Sequence, residues 1–466
     1  SKISDYLTDL VNYLDSLLPR SLLFSHPIQI ATGEQEIDPT WLKWWDWAAE
    51  EETGACPHWK VLAQMLFYRF TADDAYDAKA HHVPASIAAL VSAVRKLALP
   101  RNVFHTYPRS SAISQYQGVS QKKQHEIIQM TSLICSILRG TDIKHVVDIG
   151  AGQGYVTMEL RRSRPDLHIL ALDTSDQQTT GAQKHQARFT SKSHPHIFSS
   201  NSGSLTRRTV FVTVETLHSS IRSWLHDLNT HDEKTPVLLI GLHACGPLTP
   251  TIMKTFLECS TPSPSRSWFA AGQLIIGCCY NLLQEAGKRI SRHLAKFAAF
   301  ANTQTPMLWL SDTAASQDAA LALRKVAFRA LLAKLVHSVK SSEDAGIGLE
   351  PSSGDWVPPR SIGRLPDRVY VDFPTYISRI WTERVLSSRA TPQEESTLLR
   401  RLEILHLLRC FLGPLVESLL VTDRFVALQE TLENMVAGWG EKRTKLINVF
   451  DQATGSARNL ALLVEP

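Results

Sequence analysis

One stretch decides the fold: Val146-Val147-Asp148-Ile149-Gly150-Ala151-Gly152-Gln153-Gly154-Tyr155. A short apolar run contains an acid near its end, three glycines follow at alternate positions, and a helical pattern then runs to Arg162. Glycine permits a strained turn, and it lacks the Cβ that would hold a ligand away from the backbone. The stretch therefore predicts a buried parallel strand, a ligand-binding turn and a helix at the mouth of a doubly wound sheet.

The next strand indicates which nucleotide the turn binds. A second apolar run, Leu167 to Leu172, ends in Asp173, and an acid about twenty residues past such a turn accepts hydrogen bonds from ribose hydroxyls. The glycine spacing is D-x-G-x-G-x-G, whereas dinucleotide-binding turns have G-x-G-x-x-G. This spacing favours S-adenosylmethionine (SAM), which has no pyrophosphate and whose ammonium group Asp148 could hold. The alternative is a glycine-rich turn without a cofactor.

The composition is that of a globular protein with more than one domain. The chain has 466 residues, of which 44% are hydrophobic and 20% charged, and this length exceeds one ordinary core. The net charge of +4 permits a nucleic-acid partner without requiring one. We predict no membrane span and no secretory signal. Seven cysteines, an odd and sparse set, favour a reducing compartment, so we expect a cytoplasmic or nuclear protein.

Four parts follow one another along the chain. Residues 1–105 form a predicted helical domain, in which Trp41, Trp44, Trp45 and Trp47 crowd one short helix; we interpret them as packing residues, with binding of a base or peptide as the alternative. Residues 106–285 alternate strand and helix signals, as in a parallel sheet. Residues 286–395 are a predicted helical insertion with a loop at 341–364, and residues 396–466 are predicted helices and a closing hairpin.

The predicted fold class is α/β, with a seven-stranded, Rossmann-like sheet of the class I methyltransferase type. The strands predicted for the central part are 144–150, 167–173, 209–214, 237–243 and 272–280. The helices predicted there are 121–139, 152–163, 176–190, 216–228 and 249–258. Two apolar runs near the carboxyl end, 445–450 and 459–464, could form an antiparallel hairpin that completes the sheet.

The ends of the fourth and fifth strands carry reactive side chains. The fourth strand runs into His243-Ala244-Cys245-Gly246, and the fifth runs into Cys278-Cys279-Tyr280-Asn281. Adjacent parallel strands end at the same edge of a sheet, where ligands bind. We expect His243 to act as a general base towards a hydroxyl or ring nitrogen. Tyr280 and Asn281 could stack on and hydrogen-bond a planar substrate.

The three cysteines at these strand ends have several interpretations. Cys245 with Cys278 or Cys279 could supply a thiolate that attacks a pyrimidine ring. A metal site is a second interpretation, but H-x-C followed by C-C lacks ordinary zinc spacing, so we predict no metal. The cysteines could also be small buried hydrophobic residues at the ends of core strands.

Charged residues occur in three groups of sequence positions that could lie near the predicted turn. A cationic helix start with Lys122, Lys123 and Glu126 could cover the cofactor or meet a phosphate, although a solvated helix start has the same pattern. Glu215 follows the predicted third strand, where contact with adenosine is expected; a surface acid is the alternative. A basic rim could form from Lys184, Arg188, Arg207 and Arg208.

Several of these motifs together resemble one family. The segments are Lys122-Lys123-x-His125-Glu126, Val147 to Tyr155, Leu242-His-Ala-Cys-Gly246 and Gly277-Cys-Cys-Tyr280. They are similar to the eukaryotic methyltransferase-like 25 family, which includes the protein named for a ribosomal RNA adenine dimethylase domain. The closing segments, Leu420 to Glu430 and Phe450 to Ala461, are similar as well. The resemblance runs from about residue 115 to the end and is weakest over 285–395.

The resemblance implies a class I SAM-dependent methyltransferase with a helical extension. The His-x-Cys-Gly and double-cysteine elements are also similar to those of a tRNA ribose 2′-O-methyltransferase family, which favours RNA (rRNA or tRNA) as the substrate. Adenine-amino methyltransferases have an Asp/Asn-Pro-Pro-aromatic tetrapeptide after the fourth strand, and this chain has His243-Ala-Cys-Gly there. A protein methyltransferase and a catalytically silent SAM-binding sensor or assembly factor are the alternatives.

The predicted site comprises two sets of residues. The residues expected to bind SAM, or its product S-adenosylhomocysteine (SAH), are Lys123, Glu126, Asp148, Gly150, Ala151, Gly152, Gly154, Tyr155, Asp173, Glu215 and His243. The residues expected to contact the reacting substrate are His243, Cys279, Tyr280 and Asn281.

Overall fold

The computed structural model describes residues 2–50, 57–67, 82–101, 119–192, 203–229, 234–283, 313–344, 365–380, 392–452, 456 and 458–466. The chain divides into two compact units. Unit 1 comprises Ser1–Leu7, Leu99–Asn302 and Glu417–Pro466, and unit 2 comprises Thr8–Ala98 and Thr303–Val416.

Unit 1 contains a seven-stranded sheet with the strand order β3-β2-β1-β4-β5-β7-β6. Strands β1 to β5 are parallel, β7 runs antiparallel to β5, and β6 pairs antiparallel with β7. The strands are β1 (His145–Ile149), β2 (His168–Asp173), β3 (Leu205–Thr209), β4 (Thr235–Cys245), β5 (Trp268–Cys278), β6 (Thr444–Asn448) and β7 (Leu460–Val464). This topology confirms the predicted fold class, including the closing hairpin.

Helices cover the sheet and build unit 2. Within the described residues they are α1 (Lys2–Asp15), α2 (Leu17–Phe24), α3 (Pro27–Thr32), α4 (Leu42–Trp47), α5 (His58–Phe67), α6 (Ala85–Leu97), α7 (Gln121–Ile137), α8 (Tyr155–Ser163), α9 (Asp176–Lys192), α10 (Val214–Asp227), α11 (Leu248–Cys259), α12 (Thr313–Asp344), α13 (Phe373–Ile380), α14 (Pro392–Met435) and α15 (Trp439–Arg443). Short 3₁₀ turns lie at Pro39–Trp41, Tyr280–Leu282 and Asp367–Tyr370.

The core of unit 1 lies between the central strands and two helices. Strands β1, β2, β4 and β5 and helices α7 and α8 all contribute buried apolar side chains to it, among them Val146, Ile169, Leu238, Ile240, Leu274, Ile127, Met130 and Leu160. Because these four strands are covered on both faces, their sequences are continuous apolar runs. The same runs made the four strands predictable.

The third strand differs from the prediction. It runs from Leu205 to Thr209 and not over 209–214. It lies at the edge of the sheet beside β2 and is only partly buried, so its sequence is polar. The apolar residues Val210 to Val212 imitate a strand, but they follow it and lead into α10.

Unit 2 is helical. Trp41, Trp44, Trp45 and Trp47 are buried, and the rings of Trp41 and Trp44 lie 5.1 Å apart, centre to centre. These four side chains therefore pack within the unit. Helix α12, from the predicted insertion, packs against α3, from the predicted first domain. The structure groups these two sequence segments in one unit, because their apolar helix faces cover each other.

The boundary between the units falls inside α14, at residues 416 and 417, and not at residue 396. By length and composition, Glu394–Met435 is apolar enough to cross a membrane, with a mean hydropathy of 1.7 in its most apolar window. However, 89% of that window is buried within the protein. Burial of this kind is typical of a core helix.

Candidate active site

The glycine turn follows β1 and has a left-handed backbone. The φ angles of Gly150, Gly152 and Gly154 are 77°, 56° and 71°, a region in which a side chain is strained. The N–H groups of Gly150 and Ala151 both donate to the carbonyl of Leu172, which ties the turn to the end of β2. A Cβ added to Gly152 would meet no atom within 4 Å. Open space therefore lies directly over the backbone of this turn.

Asp173 ends β2 and shapes the turn with both carboxylate oxygens. Its Oδ2 accepts the N–H of Gly152 at 2.9 Å, and its Oδ1 accepts the N–H of Ser175 at 2.9 Å. A carboxylate has about four acceptor positions, so further acceptor capacity remains for ribose hydroxyls. The sequence predicted this location, and the structure adds that Asp173 also fixes the backbone of the turn.

Asp148 lies inside the sheet beneath the turn. Its side chain is 2% exposed, and Oδ2 accepts the hydroxyl of Thr157 at 2.6 Å. Burial raises the pKa of Asp148 to about 6, against the lowering effects of the Thr157 hydrogen bond and of the Lys123 and Arg207 charges. At neutral pH the buried, ionised Asp148 therefore destabilises the folded protein, and a nearby ammonium group would offset this destabilisation.

We expect Asp148→Asn to stabilise the ligand-free protein at pH 7.5. The pKa of Asp148 is higher in the folded protein than in the unfolded chain. Asp148 therefore contributes its full stabilisation of the fold below pH 3.8, and this stabilisation is lost as pH rises through about 6. A pKa raised from 3.8 to about 6 corresponds to at most ~3 kcal/mol in the free energy of unfolding. Urea unfolding of the original protein and of Asp148→Asn, at about pH 4 and at pH 7.5, measures this difference in the free energy of unfolding. An advantage of the variant that does not grow with pH would contradict the buried-acid explanation.

A carboxylate and an imidazole meet beside the turn. His243 Nε2 lies 3.1 Å from Glu126 Oε2, although 117 residues separate the two in sequence. Glu126 belongs to the first half of α7 and is 2% exposed, whereas the His243 side chain is 30% exposed. His243 follows Ile240, which pairs with Asp148 across β4 and β1. The pair therefore stands at the carboxyl end of the strand adjacent to the glycine turn.

The backbone at His243 is strained in a way that aims its side chain. Its φ is 60°, and the pairing of β4 with β5 is irregular between Leu242 and Ala244. A non-glycine residue in this conformation, at a bulge near the end of a strand, is a common feature of functional sites. The bulge explains why His243 leaves the alternation of the strand and reaches α7.

Glu126 determines which imidazole nitrogen can accept a proton. Burial raises the pKa of Glu126. The hydrogen bond and charge of His243, together with the charges of Lys123 and Lys122, lower this pKa by more, so the net shift is downward. Lys123 Nζ lies 3.3 Å from the same oxygen. An ionised carboxylate only accepts, so His243 Nε2 donates to it, and Nδ1 of the neutral ring carries the lone pair.

Three cysteine thiols converge at the ends of β4 and β5. The Sγ atoms of Cys245, Cys278 and Cys279 all lie within 4.8 Å of one another. Hydrogen bonding from the Cys278 thiol lowers the pKa of Cys245 to about 6, and the same bond raises the pKa of Cys278. Cys245 is exposed, Cys278 is buried and Cys279 is half-buried. The expected convergence of these residues is present.

Tyr280 does not face the open mouth of the sheet. Its side chain is 1% exposed, and the guanidinium groups of Arg424 and Arg458 each lie 5.1 Å from the centre of its ring. Burial raises the pKa of its hydroxyl. The prediction that Tyr280 stacks on a substrate is therefore wrong for this conformation, because protein groups cover the ring. The side chain of Asn281 lies outside the described residues.

Glu215 is arranged differently from the prediction. It is exposed in the first turn of α10, where hydrogen bonds from its own backbone N–H and from Thr213 lower its pKa. Because β3 ends at Thr209 and not at residue 214, Glu215 lies beyond the strand end rather than directly on it. Its position is that of an acid at a helix start, where a negative charge is stabilised.

The basic residues near the turn do not form one continuous rim. Arg207 and Arg208 point to opposite faces of β3, as alternate strand residues must. Arg208 pairs with Asp227 at 2.8 Å, whereas Arg207 lies on the side of the glycine turn. Lys184 is exposed on α9, and the side chain of Arg188 lies outside the described residues. Arg207 and Arg208 therefore cannot serve the same surface.

The remaining predicted residues line the turn. Tyr155 begins α8, and its ring lies edge-on to His185 at 5.0 Å. The guanidinium of Arg207 lies beside Gly154, 3.4 Å from the position a Cβ would take. Ala182 lies at 3.3 Å from that position, so a side chain at Gly154 would be crowded as well as strained. Close packing here explains the third glycine.

Two features escaped the sequence interpretation. Phe211 is 74% exposed directly after β3, next to Val210, whose N–H donates to the Asp173 carbonyl at 2.8 Å. An exposed aromatic residue after a short edge strand is the signal that could have found it. Arg424 and Arg458, which are distant from Tyr280 in sequence, lie over its ring. No local sequence pattern predicts such a contact.

Comparison with known proteins agrees with this geometry. A family profile described as a methyltransferase domain matches residues 122–286, from the start of α7 to just beyond β5. Residues 122–286 thus match a methyltransferase domain, and β6 and β7, which lie beyond that range, complete the seven-stranded sheet. The chain is similar to methyltransferase-like protein 25, and a domain of the matched kind uses S-adenosylmethionine as its methyl donor.

Two curated relatives are probable methyltransferase-like protein 25 from Mus musculus and from Homo sapiens. The mouse protein is 31% identical over 87 residues, 18% of this chain and 14% of the relative. The human protein is 24% identical over 277 residues, 55% of this chain and 40% of the relative. The chain thus spans less than half the length of these relatives. A structure of coclaurine N-methyltransferase with N-methylheliamine and SAH aligns with a TM-score of 0.20 and 14% identity, over 58% of this chain and 62% of that one.

The turn of the methyltransferase domain fits SAM. Gly152 has open space where a Cβ would stand, and Asp173 offers acceptors beside it for a ribose. Asp148 is a buried carboxylate whose negative charge a nearby cation would stabilise, and the methionine part of SAM carries an ammonium group. Phe211 is exposed and follows Val210, which hydrogen-bonds the Asp173 carbonyl, so its ring could contact the adenine.

Proposed function

We propose that this protein transfers a methyl group from SAM to an RNA, at an acceptor atom that must lose a proton. The observation that carries the proposal is the hydrogen bond between His243 and Glu126 at the end of β4, beside the glycine turn. A ribose hydroxyl or a ring N–H is an acceptor of this kind. When bound, SAM supplies a methyl group on a positively charged sulfur, which the lone pair of the acceptor displaces.

The residues of the chain have separate tasks in this proposal. Asp173 and the glycine turn hold the ribose and the amino-acid part of the cofactor, and Asp148 supplies the opposite charge for its ammonium. Nδ1 of His243 takes the proton of the acceptor, while Glu126 holds the ring and stabilises the imidazolium that forms. Positioning supplies much of the remaining rate enhancement, because the acceptor is held in line with the donor.

The charge around His243 favours an anionic substrate. Helix α7 begins at Gln121, and its first turn carries Lys122, which is exposed, and Lys123, which contacts Glu126. Backbone N–H groups at a helix start add partial positive charge. A phosphodiester next to the reacting nucleotide would meet this helix start while the nucleotide contacts His243. This juxtaposition supports RNA over a neutral small molecule.

We expect Lys122→Ala to weaken RNA binding by about three- to tenfold and to reduce the slope of log affinity against log salt by about 1, because one phosphate contact is lost. Affinity for SAH should stay unchanged. Fluorescence anisotropy with total transfer RNA at several salt concentrations measures the effect. Arg139→Ala is the matched control, since Arg139 is exposed just beyond the opposite end of the same helix. Equal losses in both variants would contradict a contact specific to the helix start.

The direct test supplies methyl-tritiated SAM and the purified chain to extract from cells lacking the gene. Label that is lost to nuclease but not to protease supports the proposal. Label lost only to protease would replace RNA with a protein substrate. SAM binding without transfer to any fraction would favour a silent sensor or assembly factor. The Asp173→Ala protein serves as the negative control in both digestions.

Nucleoside analysis of labelled RNA then identifies the acceptor. A methylated ribose hydroxyl or ring nitrogen is the expected product, since both need the proton acceptor at His243. A methyl group on C5 of a pyrimidine would instead require a thiolate nucleophile. That product would transfer the central role from His243 to Cys245, whose exposed thiol has a lowered pKa.

A further inference from the structure

The thiol cluster of Cys245, Cys278 and Cys279 has a geometry that neither packing nor the proposed methyl transfer requires. All three Sγ atoms lie within 4.8 Å of one another, and those of Cys245 and Cys278 are 3.0 Å apart. A thiol is a weak donor and a weak acceptor, so mutual hydrogen bonds stabilise such a cluster little. In the described part of the chain, no other group of three or more cysteine, histidine or acidic side chains meets this way.

The sheet itself brings the three sulfurs together. Cys245 and Cys278 are partners in the register of β4 and β5, and the N–H of Gly246 donates to the Cys278 carbonyl at 3.1 Å. Cys279 has a φ of 47°, a strained conformation for a residue with a side chain. In the extended conformation, Cys279 would point to the opposite face from Cys278. The left-handed turn instead brings its sulfur back to the other two.

We propose that the thiol cluster binds one thiophilic d¹⁰ metal ion, Zn²⁺ or Cu⁺. Thiolates are soft ligands that select these ions, and three of them leave a coordination position free for water or another ligand. Metal binding releases the thiol protons and places a cation against three sulfur charges. Exposed Cys245 marks the side from which the ion enters, and buried Cys278 forms the floor.

Ordinary zinc motifs hold their cysteine pairs in one loop, with fixed short spacing. Here the first ligand and the other two come from adjacent parallel strands, so the spacing along the chain does not follow those motifs. Two ligands that are neighbours in sequence are usable only because of the turn at Cys279. No residue of the glycine turn and neither His243 nor Glu126 belongs to the thiol cluster, so metal binding is measured separately from SAM binding and methyl transfer.

Metal content of the full-length protein tests the proposal. The reduced protein is loaded in separate samples with Zn²⁺, or with Cu⁺ under anaerobic conditions, then desalted against a weak competing chelator and measured by mass spectrometry. We expect about one ion per chain in one of the two samples. Loading with Co²⁺ should give the near-ultraviolet absorption of sulfur-to-cobalt charge transfer, which reports thiolate ligands directly.

The variants Cys245→Ser and Cys279→Ser should each lower the bound metal to less than a tenth of an ion per chain. These two are chosen because they are more exposed than Cys278, whose replacement could disturb the core. Cys135→Ser is the matched control, since Cys135 lies on α7 away from the cluster, and it should keep the full metal content. Circular dichroism confirms that each variant is folded.

Three results would overturn the proposal. One is failure of the reduced, folded protein to retain either ion. Another is metal that persists in both Cys245→Ser and Cys279→Ser. The third is a Cys245–Cys278 disulfide that forms in the reducing buffer and blocks loading. None of these readouts depends on methyl transfer, so loss of the metal proposal leaves the proposed function standing, and the reverse is also true.

Discussion

Replacing His243 with alanine should lower kcat for methyl transfer by about 10²- to 10⁴-fold, the usual contribution of a general base. The affinity for SAM should change less than about threefold, because the hydrogen bond of the His243 ring runs to Glu126 and not to the glycine turn. The expected result is therefore a split between turnover and cofactor binding. Turnover is measured with tritiated SAM and the RNA fraction that accepts label, and cofactor binding by calorimetry with SAH.

The left-handed backbone at His243 dictates the control. Alanine at a φ of 60° is more strained than histidine, whereas asparagine, like histidine, adopts this region readily. His243→Asn should therefore keep the fold and lose turnover to a similar extent. Glu126→Gln keeps a hydrogen-bonding side chain but removes the charge that stabilises imidazolium, so we expect a smaller loss, about tenfold. Normal turnover in both His243 variants would leave His243 with a structural role only.

Replacing Asp173 with alanine should weaken SAM binding by at least about 100-fold. Hydrogen bonds to a charged group contribute about 1.5–3 kcal/mol each, and the carboxylate makes two to the backbone N–H groups of Gly152 and Ser175. Its loss removes the expected ribose contacts and also loosens the turn that approaches the cofactor. Calorimetry with SAM and with SAH measures the affinity, and thermal unfolding without ligand measures the loosening.

Asp176→Ala is the matched control for Asp173→Ala. Asp176 lies three residues further along, in the first turn of α9, and its backbone begins a helix rather than ending a strand. Its replacement removes the same charge from the same region of the sheet, so electrostatic effects that are not specific to the turn appear in both variants. We expect SAM affinity to stay within about twofold in this control. An unchanged affinity in Asp173→Ala would exclude Asp173 from the cofactor site.

The two variants together separate the proposals. Asp173→Ala should lose binding and turnover together, whereas His243→Ala should lose turnover alone. A protein that only senses SAM would lose SAM binding in Asp173→Ala. It would have no turnover for His243→Ala to remove. The metal content of both variants should be normal, because neither residue belongs to the thiol cluster.

Local sequence was sufficient wherever a few consecutive residues fix the backbone. Three alternate glycines after an apolar run require a left-handed turn, and the structure gives all three a positive φ. The acid that ends β2 follows from the same logic, as does the closing hairpin of β6 and β7. The edge strand β3 was misplaced, because an edge strand is only partly buried and the apolar run after it gave the stronger signal.

The tertiary structure decided how these pieces form a site. Glu126 and His243 meet across 117 residues of chain, and only the order of the sheet brings α7 beside the end of β4. Tyr280, whose position next to the site suggested a substrate contact, is covered by Arg424 and Arg458 from the carboxyl-terminal part. The sequence alone determined the fold class and the cofactor turn, because backbone constraints are local. The partners of a side chain depend on which distant elements pack together, and this depends on the burial of the whole chain.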